Sequence, residues 1–482
     1  MSEEVQLSTP TLVRTSMEDD DDTTTTATTT KSSAESPSDN IKIDIPPASS
    51  DSRRLHSRII HRVSPHLRSD TNNRRMFDPV ALSLGPYHHG KPDLRRAEAL
   101  KDHMLHTFVS DSVAADETKD KRFFHNQILK CISEIRGHYD RAAVDSFDDE
   151  SLSEIILRDA CFVATCIADP FSLPDLIRTH LGNPMTVYAT QDLLLLENQI
   201  PFWVVNRLLN LRFGEEEADA YICQHLSLLC LGSSRNLTRL PWKENDNDDE
   251  EQLHQHQPLH LLEAYRITLL QRESPNKLST LTSTDSYSSR TYSIRTLYRY
   301  INLPFRSVTY LQRKGIYFGP SSTCYKDILF TSHWCYGMLR LPIDIISEHS
   351  KSFFCNLIAF EMSSSDDLAV TSYVNFMKSL LESPEDVKVL REKGILFSDL
   401  GSDKEVVEAF KEIRTYGIDD CDSFAYVKKQ LDEHCNSRAK TWVAELIHNY
   451  FHSPWSAIAL FAATFLLCLT FIQTYYTVKA AN

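Results

Sequence analysis

The sequence predicts a mainly α-helical protein with a minor β element, built as a single large helical domain followed by one C-terminal transmembrane helix. Three observations support this fold class. Apolar residues recur at helical spacing along most of the chain. Only 12 of the 482 residues are glycine, well below the average usage of about 7%. Residues 453–478 carry no charge, which is typical of a membrane span.

Charge is distributed unevenly along the chain. The formal net charge is −15, but residues 1–50 hold ten acids against three bases, and residues 243–257 hold six acids against one base. We predict that residues 1–52 form a disordered, acidic, Ser/Thr-rich tail, because they contain too few apolar side chains to offset the entropy of ordering. Residues 53–452 form the predicted domain, with disordered loops near 243–257 and 273–292. The acidity therefore gives no indication of a surface for cationic partners.

The segment Arg53–Arg75 is strongly basic, with seven arginines and one acid, Asp70. One interpretation is a patch for nucleic acid or anionic lipid. The other is a solvated helix face, which is favoured because no aromatic residue is interleaved for base stacking. We therefore expect no nucleic-acid partner. The apolar residues at helical spacing in this segment are Leu55, Ile59, Ile60 and Val63.

Helical patterns dominate the first half of the domain. Ile155–Ala168 is apolar but too short to cross a membrane, so it predicts a core helix. Asp192–Arg212 is strongly apolar and contains Pro201, which should kink or restart the helix. A short helix is predicted at Leu259–Gln271. The backbone groups that the proline frees are expected to be capped by Glu197, Asn198 and Gln199.

The β element is predicted in the second half of the domain. Three short extended runs, Gly315–Phe318, Asp327–Phe330 and Tyr336–Ile343, are separated by Gly, Pro and Ser. This pattern indicates a small antiparallel sheet or hairpins. Helices resume at Thr371–Leu381, which is apolar at helical spacing.

The remaining helices of the domain are marked by capping signals. Ser383 precedes a proline and two acids, which predicts a helix that stops before Gly394. Ser402 opens another helix, which we expect to end at Gly417. The last helix of the domain is predicted from about Ser423 to the anchor.

Motifs that carry known chemistry are missing from the sequence. It contains no G-x-S-x-G, H-E-x-x-H, G-x-x-x-x-G-K-[ST] or G-x-G-x-x-G pattern. His88 and His89 would point to opposite sides of an extended chain, and His254 and His256 lie in the acidic loop. The eleven cysteines form no C-x-x-C pair, so we expect buried free thiols. We predict no catalytic residue, no cofactor and no metal site.

The predicted anchor is the uncharged stretch from Ser453 to Val478, SPWSAIALFAATFLLCLTFIQTYYTV. As a helix its 26 residues would be about 39 Å long, against about 30 Å for the hydrocarbon core of a bilayer. Aromatic rings near both ends suit the headgroup level. The residues assigned to the anchor are Trp455, Phe461, Phe465, Leu466, Leu467, Phe471, Tyr475 and Tyr476.

The position of this span predicts the topology. A single span close to the C-terminus is expected to insert after synthesis, which would leave the bulk of the chain in the cytosol. No apolar signal segment follows Met1. We therefore expect a single-pass, tail-anchored membrane protein, and the sequence does not indicate which membrane it enters.

Several strings resemble the motifs of one plant family. They are SLGPYHHG (Ser83–Gly90), RDACFVATCI (Arg158–Ile167), DLLLLENQIPF (Asp192–Phe202), LRLPIDI ahead of NLIAFE (Leu339–Glu361), TSYVNFMKSLLESPEDVKVLREKGIL (Thr371–Leu396) and the PWS of the anchor. Together they resemble the family of domain of unknown function 247, also called UPF0481. The residues that carry this resemblance, expected to be structural, are Gly85, Pro86, Tyr87, His88, Glu197, Asn198, Gln199, Pro201, Asn356 and Glu361.

The resemblance implies a land-plant protein with one large helical domain, a C-terminal membrane anchor and no established enzymatic activity. It also implies that recognition of a partner is a possible role, since some grass members are implicated as self-incompatibility determinants. We therefore expect a non-catalytic recognition or protein-interaction protein with an unidentified protein partner. One alternative is an enzyme of unknown type that uses Glu197, His88 or Glu361. The other is nucleic-acid binding through residues 53–75.

Overall fold

The structure is a computed structural model of the full chain. It describes residues 59–69, 74–229, 237–243, 257–271, 307–322, 324–364, 367–417, 424–437 and 454–481. The predicted tail at 1–52 lies outside the described residues. So do the predicted loops near 243–257 and 273–292, apart from Lys243 and Gln257.

The first half of the domain is helical, as the sequence predicts. The core prediction at Ile155–Ala168 is confirmed, although the helix begins earlier, after Asp148, whose carboxylate accepts a hydrogen bond from the Ser151 N–H at 2.7 Å. The α-helices of this half are α1 (Pro65–Arg68), α2 (Arg96–Ala115), α3 (Lys121–Leu129), α4 (Ile132–Gly137), α5 (Arg141–Val144), α6 (Asp149–Ala168), α7 (Leu173–Leu181), α8 (Asn183–Asp192), α9 (Phe202–Phe213), α10 (Glu215–Leu229) and α11 (Leu261–Leu270). Short 3₁₀ turns cover Arg74–Met76 and Pro92–Leu94.

The second half combines helices with short strands. Its elements are α12 (Val308–Arg313), β1 (Ile316–Pro320), β2 (Leu329–Ser332), β3 (Gly337–Leu341), β4 (Asp344–Ile346), α13 (Ser350–Ser364), α14 (Ala369–Leu380), α15 (Pro384–Glu392), β5 (Leu396–Ser398), α16 (Asp403–Glu412), α17 (Ala425–Asn436) and α18 (Pro454–Ala481). The described residues therefore form a mainly α-helical protein with a minor β element, which confirms the predicted fold class.

Pro201 restarts the helix, as predicted. Helix α8 ends at Asp192 and α9 begins at Phe202, directly after the proline. The chain between them is not helical, and it lies between two groups of buried residues, because Leu193 and Ile200 belong to one and Leu196 to the other. Residues 193–200 therefore join the two halves of the core.

Within residues 59–69 and 74–75, the part of the basic segment that the structure describes, the chain does not form the helix face that its spacing predicts. Among its described residues, only Pro65–Arg68 are α-helical. The predicted apolar positions Ile60 and Val63 are buried, but the backbone here is used for tertiary contacts. The Ile60 N–H donates to the His138 carbonyl at 2.8 Å, and the Val63 N–H donates to Glu197 at 2.7 Å. Backbone donors that bind remote acceptors are not available for helical bonds, so tertiary contacts override the local pattern.

The three predicted strands exist, but the sheet is mixed rather than antiparallel. Strands β2 and β3 form an antiparallel hairpin, whereas β1 lies parallel to β3 on its other side. The strand order is β1-β3-β2. Strand β3 takes the centre because it alternates buried residues along its whole length, while β1 ends in Pro320, which has no N–H for a further neighbour. A second, two-stranded parallel pair joins β4 to β5, and the sequence analysis did not predict β5.

The capping signals predict helix starts better than helix ends. Ser383 and Asp386 form a capping box before α15, which stops before Gly394 as predicted. Helix α16 starts after Ser402 as predicted but ends at Glu412, so the predicted end at Gly417 is wrong. The Ile413 carbonyl instead accepts a hydrogen bond from Lys378 at 2.7 Å. Helix α17 ends at Asn436, and Ser437 has an extended backbone, so the predicted unbroken helix to the anchor is wrong. Residues 438–453 lie outside the described residues.

The described buried residues form two cores. The N-terminal core is defined as the cluster around α2, α3, α6, α9 and α10, with Phe108, Phe124 and Phe162 among its largest members. The C-terminal core is the cluster around α13, α14, α16 and the sheets, with Phe354, Tyr373 and Phe410. The nine described cysteines are free thiols, and six of them are buried: Cys161, Cys166, Cys223, Cys324, Cys355 and Cys435.

Helix α18 has the dimensions of a membrane span. Its 28 residues correspond to about 42 Å, and the stretch Phe461–Ala480 is apolar and not buried against the rest of the chain. Trp455 lies in the first turn of the helix. The other predicted anchor residues are exposed: Phe461, Phe465, Leu466, Leu467, Phe471, Tyr475 and Tyr476.

Candidate functional site

The motif loop, residues 80–89, contains the predicted Gly-Pro-Tyr-His string, and buried side chains hold its backbone. The Asp192 carboxylate accepts hydrogen bonds from the N–H groups of Val80, Ala81 and Leu82 at 3.1, 2.6 and 2.9 Å. The Asn198 side chain accepts from the Leu84 N–H at 2.6 Å. Because the loop is not helical, these side chains replace the partners that secondary structure would supply.

Gly85 makes the closest approach between the motif loop and its surroundings. Its φ is +68°, and a Cβ at this position would lie 2.7 Å from the Gln199 carbonyl oxygen. Its N–H donates to Asp159 at 2.8 Å. Pro86 is buried in the bend that follows. A glycine is therefore required by both the backbone conformation and the space available.

A buried lysine completes this part of the loop. Lys101 has no solvent exposure, and its ammonium group donates to the Ser83 carbonyl at 2.9 Å and to Asp159 at 2.7 Å. It also pairs with Glu98 at 2.6 Å. The lysine and the two carboxylates compensate each other, as buried charges must.

Tyr87 connects the motif loop to the basic segment. Its hydroxyl donates to the Ile60 carbonyl at 2.6 Å and accepts from the Asp140 N–H at 3.1 Å. The guanidinium group of Arg62 lies over the ring, 4.8 Å from its centroid. The ring is also in edge contact with Tyr139. The hydroxyl thus makes one hydrogen bond as a donor and one as an acceptor, both within the fold.

His88 and Glu197 meet at the centre of this region. The His88 ring is 3% exposed, and its Nε2 lies 3.5 Å from Glu197 Oε2. Burial, together with a smaller effect of the nearby Lys91 cation, lowers the pKa of His88 to about 4. The ring is therefore neutral at pH 7 and forms no ion pair with the carboxylate. Neither ring nitrogen has a hydrogen-bond partner among the described residues.

Glu197 is committed to other partners. Its Oε1 accepts the Val63 N–H at 2.7 Å, and its Oε2 pairs with Arg68 at 2.9 Å. Arg68 pairs in turn with Asp78 at 2.8 Å. Because Arg68 is already paired with two carboxylates, it is not available to contact a nucleic-acid phosphate. The two structural bonds of Glu197 compete with the role that the enzyme alternative gives it.

Asn198, Gln199 and Pro201 hold the segment between the two cores. The predicted capping role is correct in part, since Asn198 donates to the Asp192 carbonyl at 2.9 Å and Gln199 donates to those of Leu193 and Leu195 at 2.8 and 2.9 Å. Gln199 also accepts from the Leu262 N–H at 3.3 Å, and Asn198 binds the motif loop. These side chains therefore join remote segments as well as capping local backbone.

Asn356 and Glu361 lie on α13, in the C-terminal core. The Asn356 amide accepts from the Leu196 N–H at 2.9 Å and donates to the Met76 carbonyl at 2.8 Å. Glu361 pairs with Arg266 at 2.9 Å. It also accepts hydrogen bonds from Val370 and Thr371. The alternative of an enzyme that uses Glu197 or Glu361 would have them act separately, because each carboxylate is bound by its own arginine and its own backbone donors.

Metal-ligating side chains do not converge in the part of the chain that the structure describes. No group of three His, Cys, Asp or Glu residues there is placed to hold a metal ion. His89 contacts Phe147 edge to face, and His254 and His256 lie outside the described residues.

Sequence reasoning did not single out Asp159 and Asp192, two residues that hold the motif loop. Both lie at the start of strings that resemble the family motifs, and each precedes an unbroken apolar run. An acid bordering such a run is either at a helix end or buried with a partner. That position was the available signal, but the partners are remote in sequence, which no local pattern indicates. Both acids bind backbone groups more than 70 residues away, and Asp159 also binds the Lys101 side chain, 58 residues away.

Fold and geometry together define the class of protein: a predominantly helical domain whose motif loop is held by buried polar side chains, with one apolar C-terminal helix. A family profile described as "plant protein of unknown function" (DUF247) matches residues 60–469. The chain therefore belongs to this plant family, as its motifs indicated.

Two relatives from Arabidopsis thaliana are similar in sequence to this chain over most of their length. One UPF0481 protein is 27% identical over 431 residues, covering 83% of this chain and 83% of its own. A second UPF0481 protein is 22% identical over 480 residues, covering 83% of this chain and 86% of its own. No solved structure matches the chain.

Proposed function

We propose that the chain is a non-catalytic recognition protein, held on the cytosolic side of a membrane by α18, and that it binds a protein partner through aromatic side chains at the β2–β3 hairpin. Recognition of the kind implied for self-incompatibility determinants would be one case of this function. Helix α18 supports the anchoring part of the proposal, since its residues 454–478 carry no charge and none of its apolar stretch is buried against the chain.

The observation that carries the proposal is the aromatic hairpin surface, which we define as Tyr317, His333, Trp334 and Tyr336. Trp334 is 82% exposed. The rings of His333 and Tyr336 stack at 4.5 Å, and Tyr317 contacts Tyr336 edge to face at 5.9 Å. Exposed Trp and Tyr side chains held rigid by neighbours are enriched at the energetic centres of protein interfaces.

The charges around this surface indicate the chemistry of the partner. Residues 308–318 and 331–340 contain Arg313, Lys314 and Arg340, and no aspartate or glutamate. Helix α17, which packs on β2, adds two lysines and two acids, so the surplus of positive charge remains. A partner segment with acidic side chains beside apolar ones would complement this surface. The hairpin is held in place by α17, since the Ser332 hydroxyl lies 2.8 Å from the His434 ring.

A site-specific photo-crosslinker at position 334 tests the docking surface. In the intact protein in its native membrane, we expect a cross-link to another protein. The same crosslinker at Phe171, which is 71% exposed in the N-terminal half, is the matched control and should not give that product. Cross-linking of position 334 to lipid, or equal products from both positions, would contradict the proposal.

A pair of substitutions measures the contribution of the surface. We expect Trp334→Ala to reduce recovery of the cross-linked partner at least tenfold in affinity purification, because the most exposed aromatic side chain of the surface is lost. The thermal midpoint should not change, since the side chain is exposed. Phe171→Ala should leave recovery unchanged. If Trp334→Ala left recovery of the partner undiminished, the hairpin would not be part of the interface.

The anchor is tested separately. Deletion of residues 453–482 is expected to move the protein from the carbonate-resistant pellet to the soluble fraction, because the only strongly apolar helix among the described residues is then absent. Protease protection of the C-terminus in intact membranes would report the orientation. A chain that still pellets after the deletion would refute anchoring by α18.

A further inference from the structure

Helix α18 has two sides of different character. We define the α18 seam as the side that contains Ala459, Ala463, Leu466, Thr470, Gln473 and Thr477. These residues follow one another at alternating intervals of four and three, so at 3.6 residues per turn they lie within an arc of about 80°. The large aromatic residues of the same stretch lie on the opposite side: Phe461, Phe465, Phe471, Tyr475 and Tyr476. Between residues 459 and 478, large rings are thus confined to one side, and the seam is small or polar apart from Leu466.

The spacing of the α18 seam is that of a coiled coil. Intervals of four and three repeat every seven residues, and helices with this repeat pack in left-handed pairs. In a membrane, small residues such as Ala459 and Ala463 let the two backbones approach closely. Thr470 and Thr477 each donate their hydroxyl to a carbonyl of the same helix at 2.7 Å. Neither threonine therefore brings an unpaired polar group to a contact with a second helix.

Gln473 is the exception in the seam. Its backbone carbonyl accepts from Thr477, but its side-chain amide has no hydrogen-bond partner among the described residues. It lies six residues before Lys479, the charged residue of α18, and this distance of about 9 Å along the helix exceeds the reach of its side chain. In hydrocarbon the amide has no water to bind, so leaving it unpaired costs free energy.

The chemistry of this amide indicates what covers the seam. A glutamine side chain has both donors and acceptors, so it is complementary to an identical side chain. Copies of one chain insert with the same topology and therefore place Gln473 at the same depth. A twofold axis parallel to the helices then brings each Gln473 to its equivalent. A helix of another protein would need a polar side chain at a matching depth, whereas two copies of this chain have that match automatically.

We propose that α18 packs against α18 of a second copy, as a parallel, left-handed pair joined through the α18 seam, with the two Gln473 amides hydrogen-bonded to each other. This inference goes beyond the proposed recognition function and rests on its anchoring part. Such a pair carries two aromatic hairpin surfaces, so a partner with two binding segments would be held more tightly than by one copy.

Energy transfer in vesicles tests the pairing. The full chain is purified and reconstituted into phosphatidylcholine vesicles, with donor and acceptor fluorescent proteins fused to separate copies. We expect energy transfer above that of a random distribution at the same protein-to-lipid ratio, and unlabelled chain should compete. Gln473→Leu should weaken self-association by about threefold or more, because the bond between the helices is lost. Gln473→Asn keeps an amide and should retain most of the association.

Two matched substitutions locate the contact on the helix. Ala463→Phe places a ring in the seam, whereas Cys468→Phe places the same ring on the opposite, exposed side. We expect Ala463→Phe to weaken self-association by about tenfold or more, because the backbones can no longer approach, and Cys468→Phe to leave it unchanged. Association that survives Ala463→Phe, or equal effects of the two rings, would overturn the seam as the contact.

Flotation of the vesicles separates this inference from the anchoring on which it rests. The natural chain and all four variants should float with the vesicles, since each variant keeps the apolar stretch uncharged. A chain that does not float would overturn the anchoring and the pairing together. A chain that floats, but whose energy transfer equals that of a random distribution, would overturn the pairing alone.

Discussion

The N-terminal and C-terminal cores use buried polar side chains in different ways. In the N-terminal core, Asp192 and Asn198 bind backbone groups of residues 80–84, more than 100 positions away in the sequence. In the C-terminal core, Glu361 binds backbone nine and ten positions away, and Asp386 binds the N–H groups of the residues three and four positions before it. The motif loop thus depends on tertiary structure, whereas many polar bonds of the C-terminal core belong to local turns.

This difference has a consequence for folding. The motif loop gains its hydrogen bonds only when α8 and the segment after it have closed a long stretch of chain, and closing that stretch costs entropy first. The turns around Glu361 and Asp386 join residues that are close in sequence, so they form at little cost in loop-closure entropy. The C-terminal core also has long-range bonds, such as those from the Thr309 N–H to Asp386 at 2.7 Å and from the Leu196 N–H to Asn356 at 2.9 Å. The same type of substitution, made once in each core, tests this difference between remote and local partners.

The largest effect is expected from Lys101→Met. This change leaves Asp159, which is 1% exposed, with the Gly85 N–H as its remaining donor. Removing one member of a buried ion pair typically costs about 3–5 kcal/mol, and we expect a loss of that size in the free energy of unfolding. Urea unfolding of the detergent-solubilised chain, followed by circular dichroism, measures it.

The matched change in the C-terminal core is Arg266→Met. Glu361 would keep the N–H groups of Val370 and Thr371 and the hydroxyl of Thr371, so the loss should be smaller by at least 1 kcal/mol. The double variant Lys101→Met with Asp159→Asn should recover part of the loss, because the buried charge is gone. Equal losses from both single changes would contradict the contrast between the cores.

Local signals predicted much of the fold of both cores. The starts of α15 and α16, the restart at Pro201 and the apolar anchor follow from caps, proline chemistry and hydropathy. The end of α16, the parallel pairing of β1 and the non-helical backbone around Ile60 were not predicted, because each depends on a partner remote in sequence.

The same limit applies to the candidate site. The strings around Gly85 and Glu197 were found from the sequence, and the need for Gly85 follows from its φ and from the Gln199 carbonyl only once the structure is known. Asp192 was missed because its partners are backbone groups, which have no sequence signature. Asp159 was missed because its partners, the Lys101 side chain and the Gly85 N–H, are 58 and 74 positions away.

The second prediction concerns pH. Burial raises the pKa of Asp192 to about 7 from its usual 3.8. A carboxyl whose pKa is higher in the folded protein contributes stability that is fully present below pH 3.8 and is lost as the pH rises through about 7. Asp192→Asn lacks this dependence, so its stability relative to the natural chain should improve between pH 4 and 7, by about 3 kcal/mol.

Asp344 is the matched carboxyl in the C-terminal core. Burial raises its pKa to about 6, against hydrogen bonds from Tyr373, the Ile345 N–H and Tyr325. The stability of Asp344→Asn relative to the natural chain should therefore also improve as the pH rises. This improvement should end about one pH unit lower than it does for Asp192→Asn. Urea unfolding at half-unit steps from pH 4 to 8 gives both windows. A difference between Asp192→Asn and the natural chain that stays constant with pH would refute the assignment.

The smallest pair of effects comes from two glycines with the same backbone conformation. Gly85 and Gly394 both have a φ of +68°, but a Cβ at Gly85 would lie 2.7 Å from the Gln199 carbonyl oxygen, whereas a Cβ at Gly394 meets nothing within 4 Å. The strain of a positive φ costs an alanine about 1 kcal/mol, and this is the whole expected loss for Gly394→Ala. Gly85→Ala must also displace the segment that carries Gln199, so we expect about 2 kcal/mol or more. Thermal unfolding of the two variants side by side measures the difference, and equal losses would show that the motif loop yields to the added methyl group.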